Sequence, residues 1–197
     1  MVMTVPVPGD TITGVRLFVA LELSTACVDE VAAAVDDVRD VARELRWAPP
    51  EQWHLTLAFL GEVDERVIPD LEARLARSAA RQAPLNLTLA GAGRFGNRVL
   101  WLGVRGDTAG LRQLAVSVRA AARRARLPVE DRPYRPHLTL ARARDPAADL
   151  RPVVQRMAGF AGPPWTADAV HLVRSHLRAG AGGTARHETV TSWPLGR

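Results

Sequence analysis

The sequence predicts mixed α and β structure built as two α/β lobes that face each other, and three observations predict it. Segments with strand periodicity alternate with segments of helix periodicity along the chain. The tetrapeptide His-Leu-Thr-Leu occurs twice, at His54–Leu57 and at His137–Leu140, once in each half. Both copies have the alternation of a strand. In extended chain Trp53, Leu55, Leu57 and Phe59 share one face, while His54 and Thr56 share the other. Leu138 and Leu140 separate in the same way from His137 and Thr139. One His-x-Thr on a strand is an ordinary polar face, but two copies present two imidazoles and two hydroxyls in one molecule.

Taken in order, residues 1–14 hold no basic segment followed by an apolar one and read as a loose tail before a single bilobal domain over residues 15–197. Val15, Leu17, Val19, Leu21 and Leu23 alternate as a half-buried strand. Ser24 or Thr25 can cap the next helix, whose apolar stripe of Val28, Val31, Val35, Val38, Ala42 and Leu45 carries it to about Leu45, with Asp29 and Glu30 complementing its N-terminal dipole. Pro49-Pro50 turns the chain into the first His-Leu-Thr-Leu strand, which ends at Gly61. A second helix starts between Asp64 and Pro69, buries Ile68, Leu71 and Leu75, and is closed by Pro84. Leu85, Leu87 and Leu89 alternate as a strand, Gly91 to Arg98 reads as a hairpin loop, and Val99 to Val104 is the returning strand. Asp107 or Thr108 caps a third helix that buries Leu111, Leu114, Ala115, Val118, Ala122 and Ala125 and exposes a row of arginines. Asp145-Pro146 opens a short helix that Pro152 kinks, and strands over Ala167 to Leu177 and His187 to Trp193, joined by Gly180-Ala181-Gly182-Gly183, close the chain.

Composition narrows the chemistry. Apolar residues at 47% and charged residues at 24% are the balance of a soluble globular protein, no apolar run approaches the ~20 residues of a membrane span, and a cytoplasmic location is expected. The single cysteine, Cys27, excludes an internal disulfide and reads as core filler. All 26 basic side chains are arginine. Without lysine there is no Walker-type phosphate loop, no Schiff base and no lysine to be nucleotidylated. The net charge of +5, carried on bidentate guanidinium forks, suits a polyanionic partner.

Two histidines and two threonines without an acidic cluster make a poor zinc site, because each strand offers one good ligand. No Ser or Cys sits in a nucleophile elbow beside them. The set suits in-line phosphodiester cleavage, in which one imidazole deprotonates the attacking oxygen and the other protonates the leaving oxygen, while Thr hydroxyls donate to the phosphate. Arg142 lies five residues beyond His137. On a regular strand that parity faces it away from His137, so it reaches the site only if the strand bends, bulges or ends.

The paired motifs, with Arg16-Leu17-Phe18-Val19-Ala20, Leu45-Arg46-Trp47, His54 through Val63, Val99 through Val104 and Asp131 through Arg142, resemble the LigT/ThpR-type RNA 2′,3′-cyclic phosphodiesterases of the two-histidine (2H) phosphoesterase superfamily, historically 2′-5′ RNA ligases. The resemblance covers nearly the whole chain. It implies an α+β fold of two antiparallel sheets with outer helices around a central cleft, with His54 and His137 as the acid-base pair. Thr56, Thr139 and Arg142 would hold phosphate, and Tyr134 resembles the family's aromatic before the second motif, whose roles are stacking on a base or packing. It also implies a monomer with no metal and no cofactor, acting on RNA with 2′,3′-cyclic phosphate ends or on cyclic nucleotides to leave a 2′-phosphate. An ATP-independent 2′-5′ RNA ligase and a non-catalytic RNA-end or nucleotide-binding module are the alternatives. The chain departs from the family pattern at Arg186-His187 and at Arg174-Ser175-His176-Leu177, and His171, His176 and His187 are expected to be structural or surface residues.

Overall fold

Strand β1 (Gly14–Leu21) runs into helix α1 (Thr25–Arg39), and the short β2 (Leu45–Trp47) leads through a 3-10 turn at Pro50–Gln52 to β3 (Leu55–Asp64). Helix α2 (Ile68–Ala79), the hairpin β4 (Leu85–Phe95) and β5 (Val99–Gly106), α3 (Thr108–Arg124) and β6 (His137–Ala143) follow. The chain closes with α4 (Arg151–Arg156), β7 (Ala161–Ala167), β8 (Ala169–His176) and β9 (Arg186–Pro194). The computed structural model describes residues 14–180 and 185–196, so the expected N-terminal tail, apart from Gly14, and most of the expected glycine link after β8 lie outside the described residues.

Every pairing among the described strands is antiparallel. The strand order is β7-β4-β5-β6-β3-β1-β8-β9, with β2 added beside β6. This is the expected α+β architecture of two antiparallel sheets, fused at one place: β3 and β6 meet only through the pair Leu55 and Leu138. The lobes are not consecutive halves of the chain. One holds β3, β1, β8 and β9, and the other holds β4 to β7 with β2. Leu55 and Leu138 are fully buried, as are Leu17, Leu57, Leu71, Leu102, Leu111 and Leu140, so one apolar core runs beneath both lobes. Burying each such leucine contributes about 2 kcal/mol.

Several local expectations change. Helix α1 is capped by Ser24, whose Oγ accepts from the Cys27 amide at 3.3 Å, but it ends at Arg39 and no acidic residue lies in its first turn. Leu45 fits the helical stripe by spacing, yet it belongs to β2, where it is opposite Ala143. β1 is buried on both faces from Leu17 to Leu21, because Phe18 and Ala20 form a second apolar cluster with Val173. The glycine-rich stretch continues as strand to Phe95, and Gly93 is required there because a Cβ would come within 2.2 Å of the Trp101 ring. Asp107 stands at the α3 cap position, but its carboxylate accepts from the Asn86 amide at 2.8 Å. Asp145 makes a turn by accepting from the Ala147 amide, and Pro152 sits in the first turn of α4 without kinking it. β7 was hidden by Pro163-Pro164, which a sheet tolerates only at an edge, and β7 is the edge strand. No described helix is long and apolar enough to cross a membrane.

Candidate active site

The Leu55–Leu138 pair is the centre of the site. In an antiparallel register its neighbours on one side are His54 and Thr139, and on the other Thr56 and His137, so each imidazole is brought toward the other motif's hydroxyl. All four residues line one open cleft of about 560 Å³.

Both motif strands then bulge at the same place. Along β1 and β3, Ala20 is opposite Thr56 and Val19 opposite Ala58, which leaves Leu57 as the extra residue. Along β5 and β6, Trp101 is opposite Thr139 and Leu100 opposite Ala141, which leaves Leu140. A bulge of this kind shifts the parity of everything beyond it. Leu57-Ala58 and Leu140-Ala141 are accordingly buried in succession, and the next residue of each strand, Phe59 or Arg142, turns into the cleft. The bulge is what brings Arg142 to the side of His137 and Thr139. It also corrects the expected place of Phe59, which is 57% exposed in the cleft instead of sharing the core face with Leu55.

β2 adds a residue that sequence reasoning did not single out. Arg46 is directly opposite Arg142, and both line the cleft with Arg16 and Arg178, while none of the described residues lining it is acidic. Like charges placed opposite each other on a sheet are unfavourable unless an anion lies between them. A second hollow, also about 560 Å³, shares Thr56, Phe59, His137, Thr139 and Arg142 with the first and adds Phe95, Arg119 and Tyr134. Tyr134 packs against the core with the Arg119 guanidinium 5.5 Å from its ring centre, and burial pushes its phenol far above the usual range.

The two catalytic candidates are held differently. His137 donates Nδ1–H to the Arg135 carbonyl at 2.7 Å, which leaves Nε2 as the titrating nitrogen, and the edge of its ring meets Phe95 at 4.8 Å. His54 stacks on Phe18 at 4.6 Å. Burial, then repulsion from His187, and to a lesser degree from His137, lowers His54 from 6.5 to about 4 against an opposing hydrogen bond with the backbone of Gln52. Burial also lowers His137, and the Arg142 charge adds to that effect while the Arg135 carbonyl opposes it. His187, expected to be structural or exposed, lines the cleft beside His54; only the local alternation of β9 could have pointed to it. His171 pairs with Ser192 and His176 with Glu188, and neither lines the cleft. Among the described residues no three of His, Cys, Asp and Glu converge as a metal ligand set.

A family model described as the 2′-5′ RNA ligase superfamily matches residues 27–179, which include both motifs and the whole of their bulges. The chain belongs to the 2′-5′ RNA ligase superfamily. Its superfamily relatives include an RNA 2′,3′-cyclic phosphodiesterase of Thermus thermophilus, 36% identical over 83% of this chain and 83% of that protein. Another, from Geobacillus stearothermophilus, is 30% identical over 90% of this chain, which spans only 56% of that longer protein. The superfamily fold recurs in Escherichia coli LigT, whose crystal structure holds 3′-AMP: the TM-score is 0.77 at 30% identity, over 93% of this chain and 99% of that one.

Proposed function

We propose that this chain hydrolyses RNA 2′,3′-cyclic phosphate termini to 2′-phosphates without a metal, using His54 and His137 as general acid and base. The observation that carries this reading is the convergence of both His-x-Thr pairs with Arg142 in one cleft that no described acidic residue lines. Relatives named RNA 2′,3′-cyclic phosphodiesterase support it. Water attacks phosphorus as one imidazole takes its proton. The P–O3′ bond breaks on the far side as the other imidazole protonates O3′. Each transfer supplies ~10²–10⁴-fold. Thr56 and Thr139 donate to the non-bridging oxygens as charge develops there, each charge-assisted bond contributing about 1.5–3 kcal/mol. Arg142 and Arg46 neutralise the phosphate, and Phe59, with Tyr134 in the adjoining hollow, gives the base an apolar surface.

The test is to incubate the purified protein, with and without EDTA, with an RNA oligonucleotide ending in a 2′,3′-cyclic phosphate. A product heavier by one water, carrying a phosphatase-sensitive 2′-phosphate and formed equally under chelation, is expected. An unchanged oligonucleotide, or turnover that zinc or manganese must restore, would refute the proposal. A second reading, ATP-independent 2′-5′ ligation, is favoured by the second hollow of equal volume beside the same phosphate-holding residues, where an RNA 5′-hydroxyl can replace water.

A further inference from the structure

Three rings form one wall of the cleft, and the third has no part in the chemistry above. His54 lies on Phe18 with 27° between the ring planes. His187 sets its edge against both, 4.9 Å from Phe18 and 5.4 Å from His54. Pairing of β9 with β8 at Ser175 fixes the backbone of His187. His54 is therefore confined on two sides, stacked on one ring and met by the edge of another, an arrangement that aromatic quadrupoles favour.

We propose that His187 is a third functional histidine of this cleft: a positioning residue whose ring fixes the orientation of His54 and whose charge decides when His54 takes up its proton. The catalytic consequence rests on the phosphodiesterase reading; the contact between the rings does not.

Two imidazolium ions at this separation repel, so whichever histidine is protonated first holds the other neutral. Burial, and after it repulsion from His187, lowers the proton affinity of His54, and burial lowers that of His187 as well. Glu22 and Glu51 share a smaller hollow with His187. Arg16, Arg46, Arg178, His137 and Arg142 line the cleft with it. Its neighbours on β9 are Arg186 and Glu188, and the Glu188 carboxylate is engaged by His176 at 2.8 Å. A charge beside His54 then keeps that imidazole able to accept a proton well below the ordinary range.

The experiment is an NMR titration of the His54 imidazole in the substrate-free protein, comparing wild type with His187→Phe and His187→Ala. His187→Phe keeps a ring edge and removes the charge, so the His54 midpoint should rise by about half a pH unit or more, the effect of a unit charge at 5.4 Å even under the full screening of water. One limb of the kcat/KM profile should move in the same direction. His187→Ala also removes the brace, so its kcat should fall below that of His187→Phe. An unmoved His54 midpoint in His187→Phe would overturn the electrostatic role, and equal kcat in the two variants would overturn the bracing role. A raised KM with an unmoved midpoint would make His187 a substrate ligand instead. Because the titration needs no substrate, it succeeds or fails independently of whether cyclic phosphate ends are hydrolysed.

Discussion

Thr56 and Thr139 are strand residues by propensity, and their placement on the cleft face rather than the core face is what gives them chemistry. Each Thr→Ala substitution should lower kcat/KM about tenfold to a hundredfold, the loss of one charge-assisted hydrogen bond, without moving the unfolding midpoint by more than a surface substitution does. Unchanged activity in both variants would reduce the threonines to strand formers. The histidines also affect stability. Burial holds His54 near 4 in the folded chain against 6.5 ordinarily, so between those values the unfolded chain binds the proton more tightly. The stability contributed by neutral His54 is complete above about pH 6.5 and is lost as pH falls toward 4, to a limit of about 3 kcal/mol. Denaturant unfolding at pH 7 and pH 4.5 should therefore show His54→Gln losing less stability on acidification than wild type; equal losses would contradict the burial of the ring.

At the scale of the element, the bulge is the device that makes a site out of a repeat. Its extra residues are Leu57 and Leu140, and if the strands alternated regularly through them Phe59 and Arg142 would face the core. The hairpin beside β6 supports the other side. Gly93 admits the Trp101 ring, which lies 6.4 Å from His137 and 5.4 Å from Phe95. Gly93→Ala must displace that ring, so we expect about 1–3 kcal/mol of destabilisation with a fall in kcat, read by urea unfolding and steady-state kinetics. A variant of wild-type stability and activity would show that the ring is free to move. These elements also mark where the sequence was legible. Alternation placed His54, Thr56, His137 and Thr139 on the right faces because they precede the bulge. It misplaced Phe59 and left Arg142 open because they follow it. The signal was present in the doubled apolar pairs Leu57-Ala58 and Leu140-Ala141, which interrupt the alternation at the same point of both copies. β2 is three residues long and its Leu45 mimics a helical stripe, and β7 carries two prolines, so neither had a periodicity to read.

At the scale of the molecule, each lobe contributes one histidine, and the two sheets are joined by a single strand pair, Leu55 and Leu138, above a shared apolar core. If one lobe's imidazole removes a proton while the other's delivers one, neither is useful alone. The pH dependence of kcat/KM should then be a bell whose limbs belong to the coupled pair, with its optimum on the acid side of 6.5, because burial lowers both histidines in the empty cleft. The most direct measurement is a double-mutant cycle on His54→Ala and His137→Ala, with kcat/KM recorded across pH on an RNA ending in a 2′,3′-cyclic phosphate. Each single variant should lose several orders of magnitude and one limb of the bell, and the double variant should lose little more than the worse single. Strictly additive penalties with the bell intact would mean that the two histidines do not share the proton transfers, and the acid-base assignment would be wrong.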